Sequence, residues 1–265
     1  MPRLSLVAHQ IVCIAALALF LAACGAPGAA PEAISSAIAP PTMLPTPATP
    51  TPASPRAVSF AAADGAQLIG TLYGAGATAV VLSNMGDNDL APWEAFAPRL
   101  ADRGYLVLTY KYRYPTNSSR FDSGMANHTL DDLRAAIAFV RGAGAQRLVL
   151  LGASLGGMAT AKAAADEKPV AMIIMAAPVD LAAYDYRVAP NELQSIAAPK
   201  LFIASEGDRT VPFADTKRMF ELASDPKELH SYPGSTHGLQ LFKTEHGDDL
   251  TQRLVAFITA NAPAT

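Results

Sequence analysis

The stretch Leu151-Gly-Ala-Ser-Leu-Gly-Gly157 decides the fold. It follows the apolar run Arg147–Leu151 and leads into the Ala- and Met-rich stretch Met158–Ala165. This order predicts a strand, a sharp turn with Ser154 at its apex, and then a helix. The pattern Gly-x-Ser-x-Gly suits such a turn, because small residues make room for a strained serine whose hydroxyl projects above the sheet edge. An ordinary glycine-rich turn between a strand and a helix is the alternative interpretation.

Beyond Arg56, strand-like and helix-like segments alternate along the chain. A hairpin through Asp64-Gly65 is predicted first. The predicted strands are 57–62, 67–73, 79–82, 105–110, 147–151, 170–175, 200–204 and 228–232; the predicted helices are 92–103, 129–141, 213–222 and 248–260, besides the one after Ser154. Strands separated by helices predict an α/β fold, with a mostly parallel twisted sheet of about eight strands covered by helices on both faces.

Three stretches carry a resemblance to the α/β-hydrolase superfamily: Gly152–Gly157, Trp93–Leu108 and Lys111–Pro115. The last lies where many members have Asp-x-Arg-Gly-x-Gly. The chain from about Phe60 to Ala260 resembles this superfamily, and most closely its small dienelactone-hydrolase-like and esterase-like members. The resemblance implies an α/β-hydrolase fold with a minimal lid and a serine nucleophile. A serine at this position disfavours dehalogenase chemistry, which uses an aspartate there.

A serine hydroxyl needs a base, and the base needs an acid that orients it. In this fold the chain order is serine, acid, histidine, and the residues follow the carboxyl ends of strands. Asp208, in Gly207-Asp-Arg-Thr-Val-Pro212, comes just after a predicted strand and is the candidate acid. Asp180, after the preceding strand, is the alternative, and Glu206 is close enough to Asp208 in sequence to be confused with it. Asp208 is otherwise interpreted as a turn or helix-capping residue.

The candidate base is His237, in Pro233-Gly-Ser-Thr-His-Gly238. It follows the last predicted strand and precedes the last predicted helix, and its small neighbours leave the ring free to reach the serine. The remaining histidines fit less well. His128 precedes the serine, His230 falls inside a strand, and His246 lies in a polar stretch.

An oxyanion hole is the third requirement of this chemistry. The resemblance implies one N–H from Leu155 and one from the loop after the third strand, where we assign Met85, with Gly86 as the alternative. Family members often begin that loop with His-Gly, and this chain has Asn84-Met85 instead. A backbone N–H can donate whatever the side chain is, so the change from His-Gly to Asn84-Met85 is compatible with an oxyanion hole. Asn84 either braces the loop or caps a turn.

Two segments precede the predicted domain: a signal segment that is predicted to be cleaved off, and a spacer. Residues 1–23 resemble a lipoprotein signal peptide, in which an apolar run too short to span a bilayer ends in Leu21-Ala-Ala-Cys24. This lipobox-like end predicts cleavage before Cys24 and lipid on its sulfur; an ordinary signal peptide is the alternative. Residues 24–55, rich in Pro, Ala and Thr, read as a linker, and residues 56–265 as the hydrolase domain. Cys13 would leave with the signal, so no disulfide is expected.

The assembled pattern predicts a serine hydrolase that cleaves an ester through an acyl-enzyme. The substrate class is a small acyl compound, and neither a cofactor nor a metal is expected. A net charge of −3 without a basic cluster gives nucleic-acid binding no support. The predicted location is the outer face of a bacterial membrane, through a lipid anchor on Cys24. An acyltransferase on the same fold and a non-catalytic binding lipoprotein are the rival functions.

Two loops, 115–127 and 179–198, are predicted to frame the substrate site. Tyr184, Tyr186 and Val188 are interpreted either as residues lining a pocket or as surface packing. Neither loop is long enough to form a cap domain. The sequence therefore predicts a shallow and accessible site.

Overall fold

The computed structural model describes residues 54–115 and 122–264. The predicted signal segment, Cys24 and nearly all of the predicted linker lie outside the described residues, as does part of the first predicted substrate loop. Within the described ranges, no helix has the length and apolar character needed to cross a membrane.

Ten strands and six α-helices make up the described part of the chain. The strands are β1 (Arg56–Ala61), β2 (Gln67–Tyr73), β3 (Thr78–Ser83), β4 (Leu106–Tyr110), β5 (Arg147–Ala153), β6 (Ala171–Met175), β7 (Asp180–Leu181), β8 (Tyr186–Arg187), β9 (Lys200–Ser205) and β10 (Lys227–Tyr232). The helices are α1 (Ala91–Ala101), α2 (Ser123–Gly142), α3 (Leu155–Glu167), α4 (Pro190–Ser195), α5 (Phe213–Leu222) and α6 (Gly247–Asn261). Short 3-10 helices cover Ala182–Tyr184 and Gly238–Lys243.

Eight strands form one sheet in the order β1-β2-β4-β3-β5-β6-β9-β10. The β1–β2 and β2–β4 pairs are antiparallel and all other pairs are parallel, as the alternating pattern predicted. In the parallel part, Ser83 pairs with Gly152, Ala153 with Met175, and Tyr232 with Ser205. The carboxyl ends of β3, β5, β9 and β10 therefore reach one edge of the sheet, which places the loops that follow them side by side.

The sheet separates two hydrophobic clusters, because successive strand residues point to opposite faces. In β3, Ala79 and Val81 belong to one cluster, while Val80 and Leu82 belong to the other. The first cluster includes buried residues of α2, α3, α4 and α5, and the second includes those of α1 and α6. Helices thus cover both faces, and the predicted fold class is confirmed.

Helix α2 begins at Ser123, six residues before the predicted start at Thr129. Asp122 is its N-cap, and the Asp122 carboxylate accepts a hydrogen bond of 2.8 Å from the Met125 N–H. This satisfies one of the donors that a helix start leaves without an intrahelical partner. The end of the predicted loop 115–127 is therefore helical, and residues 116–121 lie outside the described part.

The segment between β6 and β9 packs on the domain body. It contains the two-residue antiparallel pair of β7 and β8 and then α4. Tyr186 and Val188 are each 2% exposed and belong to the hydrophobic core, and Tyr184 packs against that core while partly exposed. Because these side chains pack in or against the core, the segment is part of the domain and forms no separate cap domain. This agrees with the predicted minimal lid.

Candidate active site

The turn at Ser154 has the strained geometry of a nucleophile elbow. Strand β5 ends at Ala153, Ser154 has φ 52° and ψ −120°, and α3 begins at Leu155. A positive φ is unfavourable for a residue with a Cβ and persists only where its surroundings hold it. The Ser154 N–H donates to the Met175 carbonyl at 2.8 Å, and the Ser154 carbonyl accepts from the Gly157 N–H at 2.9 Å. The backbone on both sides of the serine is thus fixed.

The flanking glycines are required by close backbone contacts. A Cβ on Gly152 would collide with the Gly156 carbonyl and the Thr160 hydroxyl. A Cβ on Gly156 would collide with the Asn84 carbonyl and would lie 2.7 Å from the Ser83 carbonyl oxygen. The start of α3 therefore packs directly against the loop that follows β3. This contact, together with the positive φ of Ser154, favours the elbow over an ordinary glycine-rich turn between a strand and a helix.

Asp208 and His237 meet at the same edge of the sheet. The His237 Nδ1 lies 2.7 Å from Asp208 Oδ2, with the aspartate side chain fully buried and the imidazole 15% exposed. The second carboxylate oxygen, Oδ1, accepts from the N–H groups of Thr210 at 2.8 Å and Val211 at 3.1 Å. Because both of its oxygens are engaged, the carboxylate is held in one orientation. It then fixes the ring with Nδ1 as the donor and leaves Nε2 to accept a proton.

Direct hydrogen bonds join the loops that carry these two residues. The Ser205 hydroxyl donates to the Thr236 carbonyl at 2.6 Å, and the Gly207 N–H donates to the Gly234 carbonyl at 2.8 Å. The loop that carries His237 also lies beside the serine turn, since a Cβ built on Gly238 would stand 3.9 Å from the Ala153 Cβ. The folding of β5, β9 and β10 thus brings the segments that carry Ser154, Asp208 and His237 to the same edge of the sheet.

Asp180 does not contact His237. It lies in β7, is largely exposed, and forms an ion pair of 3.2 Å with Arg187. The other described histidines have different partners: His128 contacts Asp131 on the surface, and His230 and His246 pack against the Tyr232 ring. Of the sequence-based candidates, Asp208 and His237 are the pair in contact.

The hydroxyl of Ser154 forms no hydrogen bond with any residue in 54–115 or 122–264, and Ser154 is half-buried. Hydrogen bonds of catalytic groups are often long in an enzyme without substrate and tighten when substrate binds. The hydroxyl is therefore free to approach an incoming carbonyl group or the imidazole.

Two backbone N–H groups beside the serine have no protein acceptor within the described ranges. They belong to Met85 and Leu155, which are 6% and 4% exposed. The Met85 side chain packs against the loop that carries His237: its Sδ accepts from the Leu239 N–H at 3.4 Å. In this chain a methionine takes the position where family members often have glycine, and its thioether links the loop after β3 to the loop that carries His237.

Asn88 is a further residue of the site that sequence reasoning missed. It is fully buried with φ 58°, and its side chain accepts from the Tyr112 N–H at 2.9 Å and donates to the Tyr114 carbonyl at 2.7 Å. It thereby joins the loop after β3 to the segment after β4. The only sequence signal for this role is that Asn88 lies in a loop and that asparagine tolerates a left-handed backbone conformation.

Asn84 braces the same loop, which answers the question left open by its sequence. The Asn84 side-chain NH2 donates to Asn88 Oδ1 at 3.4 Å, and the Asn84 backbone carbonyl accepts from the Tyr112 hydroxyl at 2.9 Å. Burial raises the pKa of the Tyr112 phenol well above its ordinary value, so the group stays protonated as a donor. Arg113, next in sequence, forms ion pairs with Asp132 and Asp64.

Comparison with known proteins agrees with this fold. The sequence model of the α/β hydrolase domain family matches residues 82–262, which is more than half of the chain, and the chain belongs to this family. A curated relative, the uncharacterized protein YfhR of Escherichia coli O157:H7, is 28% identical over 179 residues. That match covers 60% of this chain and 62% of YfhR, so the chain spans less than two thirds of the curated relative.

Solved structures share the fold. The esterase domain of a Rhodothermus marinus protein has a TM-score of 0.61 at 20% identity, covering 78% of this chain and 98% of that chain. XC6422 of Xanthomonas campestris, described as an α/β serine hydrolase without a lid, has a TM-score of 0.62 at 20% identity, covering 83% of this chain and 100% of that chain. At these identities the likeness establishes the fold alone.

Proposed function

We propose that this protein is a serine hydrolase that cleaves small carboxylic esters through an acyl-enzyme, with Ser154 as nucleophile, His237 as base and Asp208 as the orienting acid. The observation that carries the proposal is the 2.7 Å contact between a buried Asp208 carboxylate and His237, beside a serine at a strained turn. The esterase named among the similar structures gives the same reaction class a precedent on this fold.

The reaction proceeds in two halves. His237 Nε2 takes the proton of the Ser154 hydroxyl as the oxygen attacks the acyl carbonyl carbon. The N–H groups of Leu155 and Met85 stabilise the resulting oxyanion. The carbon–oxygen bond to the alcohol then breaks, and the alcohol leaves with the proton from His237. Water attacks the acyl-enzyme in the same way, which releases the acid and restores the serine.

A screen of 4-nitrophenyl esters of increasing acyl length tests the proposed reaction. We expect steady release of 4-nitrophenol with the shorter acyl groups, because the described segments form no cap domain that would enclose a long chain. Product analysis with an added alcohol separates hydrolysis from acyl transfer. If no ester in the series is cleaved by folded protein, the proposal is wrong.

We also propose that the domain is tethered to a membrane through lipid on Cys24. The support is the lipobox-like stretch Leu21-Ala-Ala-Cys24 and the Pro- and Ala-rich spacer after it. When the full chain is made in a bacterial host, we expect membrane-bound protein whose first residue is a diacylglyceryl-modified Cys24, detected by mass spectrometry. The variant Cys24→Ser should lose this mass and leave the membrane fraction. Unmodified Cys24 in exported protein would contradict the tether.

A further inference from the structure

Asp87 lies in the loop between β3 and α1, which carries the proposed oxyanion donor Met85, and the mechanism above does not use its carboxylate. It is half-buried between Gly86 and Asn88, and its Oδ1 accepts from the Asp89 N–H at 3.3 Å. Among residues 54–115 and 122–264 it forms no ion pair. Burial raises its pKa above the ordinary value, and the neighbouring Asp89 charge raises it further. When this carboxylate is ionised, its negative charge has no ion-pair partner among the described residues.

The surroundings of Asp87 locate it at the candidate active site. On one side, Met85 contacts the histidine loop, and a Cβ on Gly86 would stand 3.8 Å from the Leu155 side chain. On the other side, Asn88 is fixed by its hydrogen bonds to Tyr112 and Tyr114. The His237 imidazole is close enough to lower the Asp87 pKa, and Asp87 in turn helps to raise the pKa of the Tyr114 phenol. Within residues 54–115 and 122–264, the titratable groups whose charges interact with Asp87 are Asp89, His237 and Tyr114, and none of these three is a permanent cation.

We propose that Asp87 determines the charge preference of the site, so that the enzyme favours esters carrying a cationic group in the acyl or alcohol part and disfavours esters carrying a carboxylate. This inference rests on the proposed serine hydrolase function. A substrate cation would neutralise the half-buried carboxylate, whereas a substrate carboxylate would be repelled by it. Because the site is partly shielded from water, we expect a preference of about tenfold in kcat/KM, weakened by added salt.

Matched ester pairs measure this preference directly. Acetylcholine and 3,3-dimethylbutyl acetate have the same shape and differ by one positive charge in the alcohol part. The 4-nitrophenyl esters of 4-(trimethylammonio)butanoate and 5,5-dimethylhexanoate form the corresponding pair for the acyl part. In wild type, we expect the cationic member of at least one pair to be favoured about tenfold. Asp87→Asn, which keeps the shape and removes the charge, should bring that ratio close to one.

Asp89→Asn is the matched control, since it removes the same charge two residues away. Asp89 accepts from the Ala91 N–H at 3.1 Å as α1 begins, a role that asparagine can keep. We expect this variant to retain the wild-type ratio. Equal ratios in wild type and Asp87→Asn, with neutral esters still cleaved, would overturn the charge preference alone. Absence of turnover of every ester, together with no reaction of Ser154 with a fluorophosphonate, would overturn the serine hydrolase function and the preference with it.

Discussion

Replacing Ser154 by alanine is expected to lower kcat for a short 4-nitrophenyl ester by about ten-thousandfold or more. The serine oxygen forms the bond to the acyl carbon, and without it neither half of the reaction has a nucleophile. The remaining activity would come from water attacking a substrate that the oxyanion donors still polarise. Steady-state kinetics on purified protein, with thermal unfolding to verify the fold, measures this loss.

Ser195→Ala is the control for this substitution. Ser195 is exposed at the end of α4, and its hydroxyl donates to the Glu192 carbonyl at 2.8 Å. We expect this variant to keep full activity. If folded Ser154→Ala cleaves the ester at the wild-type rate, Ser154 is not the nucleophile.

Replacing Asp208 by asparagine is expected to lower kcat by roughly a thousandfold to ten-thousandfold, with little change in KM. The Thr210 and Val211 N–H groups both donate to Oδ1 of Asp208, and they would keep the amide oxygen of an asparagine on their side. The amide NH2 would then face Nδ1 of His237. The ring would be held with its proton on Nε2, and it could not accept the proton of Ser154.

Asp180→Asn tests the alternative acid by the same change of charge and shape. Because Asp180 pairs with Arg187 on the surface, we expect less than a twofold change in kcat for this variant. A large loss in Asp180→Asn together with an active Asp208→Asn would mean that the acid is Asp180. The two variants therefore decide between the two candidates in one experiment.

The fold was predictable from the sequence because its signals are local. The apolar runs that became β3, β5 and β9 are continuous and buried on both faces, and helices separate them. The loop that carries Asp208 follows such a strand directly. Helix α2 was predicted too short, because its start depends on the single N-cap Asp122 rather than on hydrophobic periodicity.

The bracing of the site was not predictable in the same way. Asn88 is defined by bonds to backbone groups more than twenty positions away, and the Tyr112 hydroxyl reaches the Asn84 carbonyl across the same gap. No pattern of residue types reports contacts of this kind, because they arise only once β3 and β4 lie side by side. The hydrogen bond from the Leu239 N–H to the Met85 thioether was unpredictable for the same reason, since the two residues are far apart in sequence.

The most direct test of the account is covalent labelling of the folded full-length chain with a fluorophosphonate, followed by peptide mapping. Such a probe phosphonylates a serine that a neighbouring base has activated. We expect one modified residue, Ser154, with labelling lost in Ser154→Ala and strongly slowed in Asp208→Asn. An unlabelled Ser154 in folded protein, or ester turnover that persists after complete labelling of Ser154, would contradict the assignment of Ser154 as the catalytic nucleophile.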